Sequence, residues 1–67
     1  MKKFLITVVN LEQDKIMLDY IRTEKDLIGS DYEKFLNLNI GESGCEQYNR
    51  EDDYSDFDGI TTITRIA

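Results

Sequence analysis

Phe4-Leu5-Ile6-Thr7-Val8-Val9 sets the architecture of this chain. Successive side chains of a strand point to opposite faces, so Phe4, Ile6 and Val8 share one face while Leu5, Thr7 and Val9 share the other. Four of the six are β-branched, and both faces are largely apolar, which predicts a strand that is central or covered on both sides. The polar stretch Asn10 to Asp14 reads as a turn. Lys15 to Arg22 reads as a second strand, with Ile16, Leu18 and Tyr20 opposed to Met17, Asp19 and Ile21, so the two close a hairpin.

Downstream, Ser30-Asp31-Tyr32-Glu33 has the spacing of a capping box, in which the serine hydroxyl accepts an early helical amide and the glutamate reaches back to the cap. Tyr32, Phe35, Leu36 and Ile40 then fall on one side of a helix, Glu33, Lys34 and Asn37 on the other, and Gly41 terminates it. Glu24 to Ile28 can add a helical turn that Gly29 breaks. Ser43-Gly44-Cys45-Glu46 repeats the capping spacing and can open a short helix through Arg50. Ile60 to Ile66, β-branched and preceded by Asp58-Gly59, reads as a final strand. The expectation is one α+β domain over residues 1–67: a three-stranded antiparallel sheet under one amphipathic helix, in the order β-β-α-β, with an edge or face open for pairing.

Sixty-seven residues bury only about 60% of the surface of their unfolded chain, so self-association is a natural remedy for a small core. Forty per cent hydrophobic residues with four tyrosines and three phenylalanines are too many for a disordered chain. The lone Cys45 excludes an internal disulfide and favours a reducing compartment, the cytoplasm by default. Met1-Lys2-Lys3 and the apolar run after it imitate a signal peptide, but Asn10, Glu12, Gln13 and Asp14 cut the run short and no small-residue cleavage site follows. No stretch approaches the about 20 apolar residues of a transmembrane helix, so a soluble protein without a membrane partner is expected.

The net charge of −6 is unevenly spread. Residues 41–58 hold Glu42, Glu46, Glu51, Asp52, Asp53, Asp56 and Asp58 against Arg50 alone, which by itself accounts for −6. Such a field repels nucleic acid and steers the chain toward basic protein surfaces. With no histidine and one cysteine, the usual metal and nucleophile constellations are missing, so neither an enzyme nor a cofactor is expected. Asp56-Phe57-Asp58-Gly59 resembles part of an EF-hand loop, yet placing Gly59 at loop position six puts Tyr54 at position one and Arg65 at position twelve, where carboxylates are required. A looser calcium site remains as an ion-sensor alternative. Cys45, among acidic neighbours that disfavour a thiolate, reads as a small buried side chain.

In the acidic segment Tyr48, Tyr54 and Phe57 interleave with carboxylates. The plain reading is a solubilising loop whose aromatics complete the core. The sharper one is a surface whose carboxylates stand in for nucleic-acid phosphates while tyrosines add apolar anchors. On the second reading Glu33, Glu42, Glu46, Tyr48, Glu51, Asp52, Asp53, Tyr54 and Asp56 are the candidate partner-binding residues, and the partner is a basic nucleic-acid-binding protein.

Size, charge and layout together resemble the small acidic inhibitors that bacteriophages encode against host nucleic-acid enzymes. The N-terminal hairpin (Phe4–Val9, Lys15–Arg22), the Ser30-Asp31-Tyr32-Glu33 helix start and the acids before a terminal strand are similar to the short β-β-α-β uracil-DNA glycosylase inhibitors, which act as dimers. The resemblance implies that Glu33, Glu46, Glu51, Asp52 and Asp53 mimic phosphates, and that an apolar pocket near the helix grips a protruding enzyme side chain. The 18 residues between helix and last strand exceed what that layout needs, and anti-CRISPR proteins share the same size and charge. The alternative from another class is a self-assembling structural module that pairs through its last strand or an open sheet face, its acids serving only solubility.

Overall fold

The computed structural model describes all 67 residues. Two hairpins build one antiparallel sheet. The first joins β1 (Lys3–Asn10) to β2 (Lys15–Thr23), and the second joins β3 (Ser43–Tyr48) to β4 (Gly59–Arg65). The hairpins meet through β1 and β4, giving the order β2-β1-β4-β3. The α+β class is as expected, but the sheet has four strands instead of three. Ser43 to Tyr48, expected to open a short helix, is the fourth strand. Its residues face a full register of β4 partners, from Ser43 opposite Thr64 to Tyr48 opposite Gly59, and that ladder overrides the capping spacing.

β1 is central, as its two-sided apolar pattern predicts, but it is covered on one face only. The chain leaves β2 and enters β3 at opposite edges of the sheet, three strand spacings or about 14 Å apart. Residues 24–42 therefore cross over both central strands at one end. They do so as a single α-helical turn, α1 (Glu24–Leu27), followed by a 3₁₀ helix (Glu33–Asn37). The capping-box role falls to Thr23, whose backbone N–H and hydroxyl both donate to Asp26 at 3.1 Å. Ser30 instead shapes a turn: its hydroxyl donates to the Leu27 carbonyl and accepts from the Tyr32 amide. Glu33 reaches past Ser30 and accepts from the Gly29 amide at 2.8 Å. Between that turn and the extended Leu38 the chain takes the tighter 3₁₀ form, so the expected helix ends early and Ile40 is exposed.

The crossing segment presses Leu27 and Phe35 onto Phe4, Ile6 and Ile63, which together form the buried core, with Tyr20, Tyr32, Leu36 and Leu38 around it. Gly44 makes that contact close. A β-carbon there would lie 2.6 Å from Phe35 Cδ1, so the phenylalanine ring lies directly over the β3 backbone. Gly59 does the same for Tyr48 and Phe57, whose rings would each stand 2.8 Å from an added β-carbon.

The opposite face of the sheet carries no covering element. Its three full rows read Ile21-Leu5-Thr64-Ser43, then Asp19-Thr7-Thr62-Cys45, then Ile16-Val9-Ile60-Gln47. A bulge between Val8 and Val9 skips Met17 and brings Ile16 onto this face beside Asp19 and Ile21, which departs from strict alternation along β2. Cys45 also lies here and is exposed, not buried, because nothing packs over β3 on this side. No helix is long and apolar enough to cross a membrane.

Overpacking is the test of the Gly44 contact. Gly44→Ala should lower unfolding stability by about 1–3 kcal/mol in a urea titration, because the buried Phe35 ring must shift to admit the added carbon.

Candidate functional site

Both hairpin turns lie at the end of the sheet away from the crossing segment. The first is organised by Asn10, 5% exposed, whose Oδ1 accepts from the amides of Glu12 at 3.0 Å and Gln13 at 3.1 Å. Asp14 closes it in the left-handed region at φ 51°, where aspartate is among the better tolerated residues. The second turn, residues 49–58, is knotted on Asn49. Its amide donates to Asp53 and its side-chain amide to Asp52, while its own oxygens accept the Asp52 and Asp53 amides. Tyr48 and Phe57 pack together at the base of this loop, ring centroids 6.1 Å apart.

The two turns are then tied to each other. Leu11 N–H donates to the Asp58 carbonyl at 2.8 Å and the Arg50 guanidinium to Glu12 at 2.7 Å, while within the second turn the Arg50 amide donates to the Asp58 carboxylate at 2.7 Å. The Arg50–Glu12 pair is solvent-exposed, so its own contribution to stability is about 0–1 kcal/mol. Its consequence is positional. Glu12, Asp14, Glu51, Asp52, Asp53, Asp56 and Asp58 share one end with only Lys15 and Arg50 as cations, a local net of −5. The other end holds Lys2, Lys3, Arg22, Lys25, Lys34 and Arg65 against Glu24, Asp26, Asp31, Glu33 and Glu42, a net of +1. The molecule, 35 × 22 × 15 Å, is charged like a rod with one acidic tip.

The acids of the tip have different duties. Glu12, Asp52, Asp53 and Asp58 accept hydrogen bonds that hold the loops. Asp14, Glu51 and Asp56 are exposed, and their carboxylates have no hydrogen-bond or ion-pair partner within the chain. Tyr54 stands among them 94% exposed, in the left-handed region at φ 54°, a conformation a tyrosine adopts at a cost.

Of the residues singled out from sequence, Glu51, Asp52, Asp53, Tyr54 and Asp56 come together at the tip. Tyr48 is at its base, half-buried against Phe57. Glu42 lies at the far end and accepts the Asn39 amide. Glu46, on the helix side of β3, pairs with Lys34, and Glu33 is engaged by Gly29. A single acidic face running through all nine is therefore not formed. Glu12 and Asp14, overlooked from sequence, join the tip because the turn at Asn10–Asp14 is a neighbour in space of the 49–58 loop.

One cleft of about 400 Å³ opens between the turns, lined by Glu12, Asn49, Arg50, Glu51, Asp52 and Asp58, with no apolar side chain. Small-molecule sites are mostly apolar, so this cleft has the character of a wet groove between charged loops. It lies far from the helical segment, where the resemblance to the glycosylase inhibitors implied an apolar pocket. No three acid or cysteine side chains converge to hold a metal ion. No protein-family model, curated protein or solved structure matches the chain.

Two substitutions separate the roles at the tip. Asn10→Ala should cost about 1–3 kcal/mol, since two turn amides lose their acceptor beside a buried position. Tyr54→Gly should instead stabilise by about 0.5–1 kcal/mol through relief of the left-handed backbone. Urea denaturation of both variants reads the two signs.

Proposed function

We propose that this chain is a non-enzymatic binding protein, an inhibitor of the phage-encoded kind, whose acidic tip occupies the nucleic-acid groove of a basic host protein in the bacterial cytoplasm. The observation that carries the reading is the joining of two turns, distant in sequence, into one end with a net charge of −5. A solubilising loop needs charge but no fixed arrangement of it. Here four carboxylates are spent on fixing the loops, and three others are held out with nothing of their own chain to bind.

Tyr54 supports the same reading. Exposed tyrosines of this kind serve as interface anchors, and a side chain kept both solvated and backbone-strained has no evident role within the fold. Charge at the tip would speed encounter with a cationic groove and would be weakened by salt, as phosphate contacts are. The chain's own net charge opposes direct binding to nucleic acid.

The test uses Glu51→Lys, Tyr54→Ala and Asp56→Lys together, which leaves every internal bond of the tip in place. Immobilised wild-type chain should retain a nucleic-acid-binding protein from bacterial lysate and release it to competing duplex DNA or to high salt. The triple variant, folded by circular dichroism, should retain at least about 100-fold less. Equal retention by the variant would refute phosphate mimicry at this end.

A further inference from the structure

We propose that the outer edge of β3 is a strand-addition site, where an extended segment of the basic partner pairs antiparallel to β3 with its cationic end beside the acidic tip. For the charge of that segment the proposal rests on the binding role of the tip; for its backbone pairing it rests on the sheet alone.

The sheet has two edges, and only one of them is guarded. β2 carries Lys15, Asp19 and Arg22 along its length, all exposed, and a bulge breaks its register with β1. Charges and bulges are the devices that keep an edge from pairing with a foreign strand. β3 has neither. Its one charged residue, Glu46, is already paired with Lys34, and its ladder with β4 runs from Ser43 to Tyr48 without a shift.

The backbone of that edge states what it can hold. The Arg65 amide donates to the Glu42 carbonyl, which fixes the phase of the ladder: backbone groups of Gly44, Glu46 and Tyr48 face β4, and those of Ser43, Cys45 and Gln47 face outward. These last three residues are exposed, while Gly44, Glu46 and Tyr48 are half-buried. Donors and acceptors repeating at strand spacing are matched by another extended backbone, the mode of recognition in which main-chain bonds supply the affinity. Charge then selects the segment. β3 runs directly into the 49–58 loop, so a strand continued past Gln47 passes beside the end with a net charge of −5, where Glu51 and Asp56 are without partners. An antiparallel segment reaches that place with its N-terminal residues, and lysine or arginine there meets free carboxylates. A second copy of this chain is the poorer occupant, because pairing β3 with β3 in this direction brings Glu42 of the copy to the acidic tip.

The probe is a short capped peptide, two lysines followed by alternating threonine and valine, added to the isotope-labelled chain and followed by amide exchange. Exchange at Ser43, Cys45 and Gln47, fast in the free chain, should slow at least about 10-fold with a Kd below about 1 mM, while Gly44, Glu46 and Tyr48 change little. Glutamates in place of the lysines should weaken binding at least about 10-fold, and N-methylation of every threonine and valine should abolish it. Gln47→Pro, checked for fold by circular dichroism, removes one outward amide and no bond to β4, so it should also abolish binding, whereas Gln47→Ala should leave it unchanged. The variant carrying Glu51→Lys, Tyr54→Ala and Asp56→Lys should still bind at β3 but lose its preference for the lysine peptide, so failure of the tip and failure of the edge are read separately. Three results would overturn the proposal: no protection at β3 at any peptide concentration up to about 1 mM, equal binding of the N-methylated peptide, or protection of the same three amides that grows with chain concentration alone, which would make a second copy the occupant.

Discussion

The structure depends on the separation of β2 and β3. Each hairpin is local, but the chain must travel from one edge of the sheet to the other to connect them, and it does so at one end and on one face. Leu27 and Phe35, carried by that crossing, seal Phe4, Ile6 and Ile63. Everything else follows by exclusion. The second face has no chain left to cover it, and the end opposite the crossing is left to the two hairpin turns, where the acids collect.

This division explains why stability and charge are kept apart. The core lies near the cationic end, with Gly44 allowing Phe35 to touch the β3 backbone. The acidic tip is held by hydrogen bonds instead of apolar packing, apart from Tyr48 and Phe57 at its base. Carboxylates that repel each other can be gathered there because Asp53 and Asp58 accept backbone amides and Glu12 and Asp52 accept side-chain donors, which spreads their charge onto donors of the chain itself. Asp14, Glu51 and Asp56 retain their full capacity for an outside partner.

Strands and their turns were the legible part of the sequence. The two-faced apolar run Phe4–Val9 announced a central strand, and the polar Asn10–Asp14 announced its turn. The helical segment was misjudged because a capping spacing is satisfied by several local geometries: Glu33 found the Gly29 amide in place of Ser30, and Thr23 with Asp26 made the cap. β3 was missed because Ser43-Gly44-Cys45-Glu46-Gln47-Tyr48 has little strand propensity and owes its conformation to β4 alone. For the site, the charge of residues 41–58 was visible as a run, but its division was not. Glu42 and Glu46 lie along or before a strand that carries them away from the loop, while Glu12 and Asp14 arrive from the first hairpin through a register that only the folded sheet defines.

The central claim is that the tip joined by Arg50, Glu12, Leu11 and Asp58 is the surface that meets a partner. Hydrogen exchange of the chain, free and bound to the protein it captures, addresses that claim most directly. Slowed exchange at residues 11–14 and 49–58 is the predicted result. Protection centred instead on the crossing segment, residues 24–42, with the tip exchanging as in the free chain, would contradict it.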